Sequence, residues 1–90
     1  MIFEWDEAKA NANLRKHGVS FPLATEVFDD PYLLIEEDRD AAGEFRGRAI
    51  GMSRLGVLFV VFIDQAEAVT RIISARKATA HERKAYHSIP

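Results

Sequence analysis

Seven consecutive apolar residues, Val57-Leu58-Phe59-Val60-Val61-Phe62-Ile63, constrain this chain more than any other feature. The run is too short to cross a membrane and is rich in β-branched and aromatic side chains, so it reads as a strand. With no polar residue on either side of the pleat, it predicts a central strand covered on both faces. In the preceding segment Arg46, Arg48, Ile50 and Met52 alternate with Gly47, Ala49, Gly51 and Ser53. That period of two makes a second strand with one long-chain face and one small face against which another element can approach closely. Leu55-Gly56 is a tight connection between the two.

Around this pair the remaining elements follow from caps and turn residues. Ile2 to Trp5 is a short β-like run. Asp6 offers an N-cap oxygen to a helix that reaches His17 and stops at Gly18 in the left-handed conformation. The small apolar residues Ala8, Ala10, Ala12 and Leu14 predict close packing of this helix, while Lys9, Asn13 and Lys16 fall on one polar stripe. Ser20 caps a second helix with Pro22 in its first turn, running to about Phe28, where Asp29-Asp30-Pro31 ends it. Tyr32 to Asp38 begins β-rich and becomes acidic, Ala41-Ala42-Gly43 turns, and Ala68 to Ala75 is a further strand. Thr79 and Glu82 have capping-box spacing for a last helix. The predicted fold class is α+β, in one domain over residues 1–90: a short N-terminal strand and two helices, a four-stranded antiparallel sheet, and a C-terminal helix.

Composition narrows the function. Ninety residues give a modest core and no second module, which disfavours large cofactors. The absence of cysteine removes disulfides, thiolate metal sites and thiol nucleophiles, and with no signal-like start the chain is expected in the cytoplasm. The net charge of −2 conceals two blocks. Residues 26–45 carry a net −7 and residues 46–90 a net +5. Folding can turn this into a basic face that holds phosphates, or the charges can pair locally on a solvated surface.

Several chemistries lack their residues. No glycine-rich phosphate loop, His-Glu-x-x-His or Gly-x-Ser-x-Gly is present, and no helix-turn-helix with a basic recognition helix. Adjacent Asp29 and Asp30, or Glu36 and Asp38 on one strand face, have the chemistry to hold Mg²⁺, yet they are equally turn formers and edge protection; no metal or cofactor is expected. Metal-free RNA cleavage is compatible with the inventory. There the substrate's own 2′-OH attacks the phosphorus, so the protein must take one proton, supply another and stabilise growing negative charge. Histidine suits the proton steps, arginine the bidentate phosphate clamp, and tyrosine the positioning of a phosphate or base. The candidates are His17, Lys16, Arg46, Arg48, Arg76, His81, Arg83 and Tyr86, each with an ordinary structural alternative such as a helix end for His17, a carboxylate partner for Arg76 and a core anchor for Tyr86.

Phe3-Glu4-Trp5-Asp6 with Lys9, Asn13 and Lys16-His17-Gly18-Val19-Ser20-Phe21, then Ala24 and Val27-Phe28-Asp29-Asp30-Pro31, resembles the opening of BrnT toxins. Glu44-x-Arg46, Gly51, Arg71-Ile72-Ile73-Ser74-Ala75-Arg76-Lys77-Ala78, Glu82-Arg83 and Tyr86 resemble the closing half. The resemblance implies a type II toxin with a RelE-like ribonuclease fold that cleaves RNA without metal and so inhibits translation and growth. It implies a BrnA-like antitoxin with a ribbon-helix-helix DNA-binding part, and contact with operator DNA only through that antitoxin. Within that frame Arg46 and Arg76 are expected to clamp phosphate, His17 or Tyr86 to handle protons, and Lys16, Arg48 and Arg83 to bind substrate. The competing class is a non-enzymatic interaction module.

Overall fold

The apolar run lies in β4 (Gly56–Gln65), the middle of a five-stranded sheet ordered β1-β5-β4-β3-β2. The computed structural model describes residues 1–39, 45–65 and 68–88, so the turn expected at Ala41-Ala42-Gly43 lies outside the described residues. β2 (Leu34–Arg39), β3 (Phe45–Ser53), β4 and β5 (Val69–Lys77) form the expected antiparallel meander. β1 (Ile2–Glu4) adds a fifth strand parallel to β5, with Ile2 opposite Val69 and Glu4 opposite Arg71.

Helix α1 (Glu7–His17) is capped as its sequence requires. The Asp6 carboxylate accepts from the Ala8 and Lys9 N–H groups, and Gly18 takes φ +72° at the other end. Ser20 caps the four-residue α2 (Phe21–Ala24), which tightens into a 3-10 turn over Thr25–Asp29. Thr79 and Glu82 make both halves of the capping box that starts α3 (Ala80–His87).

The two faces of the sheet are covered differently. On the first, α1, α2 and the 3-10 turn close over Leu58, Val60, Phe62, Ala49, Ile72 and Ala75, with Val19, Phe21, Ala24 and Val27 supplied from the helical layer. The small positions of β3 make this approach possible. A Cβ at Gly47 would stand 2.2 Å from the Phe62 ring, and one at Gly51 would stand 2.9 Å from Val27 Cβ. Phe62 in turn packs edge-on against Phe28 at 5.2 Å between ring centroids.

α1 departs from the expected packing. Ala8, Ala12 and Leu14 are exposed, and the helix faces the sheet with Ala10 and with Asn13 from the polar stripe. Asn13 donates from Nδ2 to the carbonyls of Val19 (3.0 Å) and Ala75 (2.8 Å), and its Oδ1 accepts from the Ala75 N–H at 3.1 Å. The amide thus satisfies backbone groups of β5 beyond the point where β1 stops pairing with it.

On the second face only one end is covered by a helix. α3 lays Tyr86 there, in a small cluster with Val57 and Ala78 flanked by Leu34 and Ile50. The expectation that β4 is helix-covered on both faces therefore holds for part of its length: Phe59, Val61 and Ile63 remain half-buried.

Candidate active site

Four arginines project from the second face. Residues paired directly across neighbouring strands share a face, and the registers define three rows. Arg46, Ile63, Arg71 and Glu4 form one row from β3 to β1; Arg48, Val61 and Ser74 form the next; Ile50, Phe59 and Arg76 form the third. Arg71 and Arg76 are five residues apart, which in a regular strand would send them to opposite faces. A register shift between Val61 and Phe62 changes that: Val61 pairs with Ser74 and Phe62 with Ile72, so Ile73 is an extra residue. This bulge restores Arg71 to the face that carries Arg76.

The guanidinium groups are held to different degrees. Arg76 is the most constrained, donating from Nη1 and Nη2 to the two carboxylate oxygens of Glu82 at 2.8 and 2.9 Å and lying 4.1 Å over the Phe59 ring centroid. These bonds, helped by the Thr79 N–H, hold the Glu82 carboxyl down at about 2 against burial. The same contact pushes the Arg76 guanidinium further up. Arg48 faces Glu36 at 3.7 Å and Arg71 faces Glu4 at 3.5 Å, both with substantial solvent exposure. Pairs of that kind contribute about 0–1 kcal/mol and exchange readily. Arg46 is exposed, and its Cα partner on β2 is Asp38.

The acidic block of the sequence is thereby placed. β2 carries Glu36, Glu37 and Asp38 alongside Arg48, Gly47 and Arg46. Glu36, opposite Arg48, borders the arginine face, while Glu37, opposite Gly47, belongs to the other face of the sheet.

α3 borders the face and is anchored at both ends. At its start Glu82 grips Arg76. Near its end the Tyr86 hydroxyl donates to Asp30 Oδ2, an oxygen that also accepts from the Met52 N–H, while Oδ1 accepts from the Tyr32 N–H. Burial and the Asp30 hydrogen bond push the Tyr86 phenol up to about 12. Burial tends to raise the Asp30 carboxyl, but the Tyr86, Met52 and Tyr32 donors outweigh it and lower the net value. Asp30, a helix-ending residue in the sequence, is thus also a fastener between α3 and the sheet.

A family model described as the ribonuclease toxin BrnT of type II toxin-antitoxin systems matches residues 5–82. The chain belongs to the BrnT family. The solved structure of the Brucella abortus ribonuclease toxin BrnT aligns at TM-score 0.66 with 29% identity, covering 88% of this chain and 99% of that one. No curated protein matches. Membership makes this chain a ribonuclease toxin of a type II system, with a cognate antitoxin.

Within the toxin, the structure brings together Arg46, Arg48 and Arg76 on one face and places Tyr86 at its helical border. Arg83 points back along α3, donating to the Ala78 carbonyl at 2.8 Å. His17 and Lys16 leave the C-terminal turn of α1, whose packing is with the first face, so they are not gathered with the arginines. Glu4 and Asp30 are the residues the sequence did not single out for this region. The alternation of Arg46 and Arg48 was readable, whereas the bulge at Ile73 has no marker such as glycine or proline.

Proposed function

We propose that the toxin cleaves RNA without metal on the arginine-lined face of its sheet, and that a BrnA-like ribbon-helix-helix antitoxin neutralises it and carries the pair to operator DNA. The observation that carries this reading is the placement of arginines from β3 and β5 in adjacent rows on one sheet face, with the apolar Val61 and Ile63 in the same rows. Fixed cations there supply the positive charge that a metal would otherwise bring to a phosphorus gaining negative charge.

In the reaction the 2′ oxygen attacks the adjacent phosphorus, its proton leaves to a base, and the 5′ oxygen departs with a proton from an acid. The products are a 2′,3′-cyclic phosphate and a 5′-hydroxyl. Arg46 and Arg48 hold the phosphate, and Arg76, braced by Glu82, adds field from one side. Tyr86 serves as a neutral group: its proton is committed to Asp30, so it positions α3 rather than acting as a phenolate base. His17, at the end of a helix packed on the first face, lies outside this group and takes no proton step on the arginine face.

The test is cleavage of a defined RNA by the purified chain in a strong chelator, with end analysis of the fragments. The expected result is 2′,3′-cyclic phosphate termini, and a fall of at least about 10²-fold in rate for Arg46→Ala and for Arg48→Ala with melting behaviour preserved. His17→Ala should leave the rate and its pH profile unchanged. Cleavage that requires Mg²⁺, or that survives both arginine replacements, overturns the proposal.

A further inference from the structure

Resting on that reading, we infer that Arg71 binds a second phosphate of the same RNA strand, released to it from Glu4. The row Arg46-Ile63-Arg71 is then a two-phosphate track for single-stranded RNA, running across the sheet.

Three observations support it. Arg46 and Arg71 stand in one row on one face, each directly opposite Ile63, so their backbones are two strand spacings apart, about 10 Å. The Arg71 head leans away from Arg46 toward Glu4 on β1, which widens the gap between the charges. Two separated cations suit neighbouring phosphates better than two oxygens of one phosphate. Between them Ile63 is half-buried and offers an apolar surface to a ribose or base.

The ion pairs decide which arginine can change partners. Arg76 makes two short bonds to a carboxylate that is itself fixed by a helix cap, so releasing it forfeits a bidentate, well-oriented pair. Arg71 has one 3.5 Å contact, with side chains 33% and 41% exposed. An RNA phosphodiester carries one negative charge and two free oxygens, as a carboxylate does, but it can engage both in a bidentate contact where Glu4 reaches Arg71 through one long approach, so it displaces that contact at little cost. The cation at the second phosphate is therefore Arg71, with Arg76 in a bracing role. Single-stranded RNA is the fitting occupant because the attacking 2′ oxygen must swing into line with the departing 5′ oxygen, a rearrangement a stacked duplex resists.

The test uses an uncleavable 2′-O-methyl hexanucleotide, with affinity measured by fluorescence anisotropy over a range of salt. Arg71→Ala should weaken binding about five- to tenfold at low salt and reduce the slope of log affinity against log salt by about 0.7, one phosphate's share for a single strand. Glu4→Gln should tighten binding two- to threefold in the wild-type background and have no effect once Arg71 is alanine, a coupling that a purely structural Arg71 would not show. Melting curves of each variant separate unfolding from lost binding. If Arg46→Ala weakens binding while Arg71→Ala and Glu4→Gln do not change it, the second-phosphate track is wrong and the cleavage face stands. If none of the three matters, both are wrong.

Discussion

The two faces of this sheet use the same strands for opposite purposes. On the first face, α1, α2 and the 3-10 turn exclude water, and the fit is close enough that Gly47 and Gly51 have no room for a methyl group. On the second face, α3 covers one end, Arg76 lies over Phe59, and Arg46, Arg48 and Arg71 share the rows of Val61 and Ile63. The difference teaches that a chain of ninety residues can devote half of its central sheet to function provided the other half carries the core.

That contrast can be broken most strongly on the dry side. Gly47→Ala forces a Cβ into the Phe62 ring and should cost about 3 kcal/mol or more, read as a large drop in the denaturation midpoint. Asn13→Ala leaves a buried N–H and two carbonyls of the backbone without their partner, for a loss of about 2–3 kcal/mol by chemical denaturation. A comparable stability from either variant and wild type would mean the first face is far more yielding than its packing implies.

On the wet side the effects on folding are smaller and depend on pH. Glu82 titrates at about 2 in the folded chain against an ordinary 4.5, so its contribution is complete above about pH 5. It is lost as the pH falls from there toward 2, because the unfolded chain takes up the proton first. With Arg76 one-third exposed, the contribution is about 1–2 kcal/mol after allowing for screening. Glu82→Gln should remove that amount at neutral pH and flatten the acid limb of the stability curve. The smallest folding effect belongs to Arg46→Ala, within about 0.5 kcal/mol, at a site where the loss of cleavage should be large.

Local signals in the sequence marked the elements well. Asp6, Gly18, Ser20 and the Thr79–Glu82 pair each satisfy helix-end groups as their chemistry demands, and the small face of β3 announced close packing. The parallel β1 was not legible as part of the sheet, since three residues carry no signal for a partner sixty-seven positions away. For the site, Arg46 and Arg48 could be placed on one face by alternation alone. The company of Arg71 could not, because a one-residue bulge reverses parity without a distinctive residue, and neither could the second roles of Asp30 and Glu82, which depend on groups brought in from another element.

The pairing of Ile2 with Val69 has a consequence for synthesis of the toxin. β1 waits for β5, and every arginine of the working face follows the helices of the first face in the sequence. A nascent chain therefore has neither a finished sheet nor an assembled cationic surface while most of it is being made. Until that strand pairs, the row that holds Arg46, Ile63 and Arg71 does not exist.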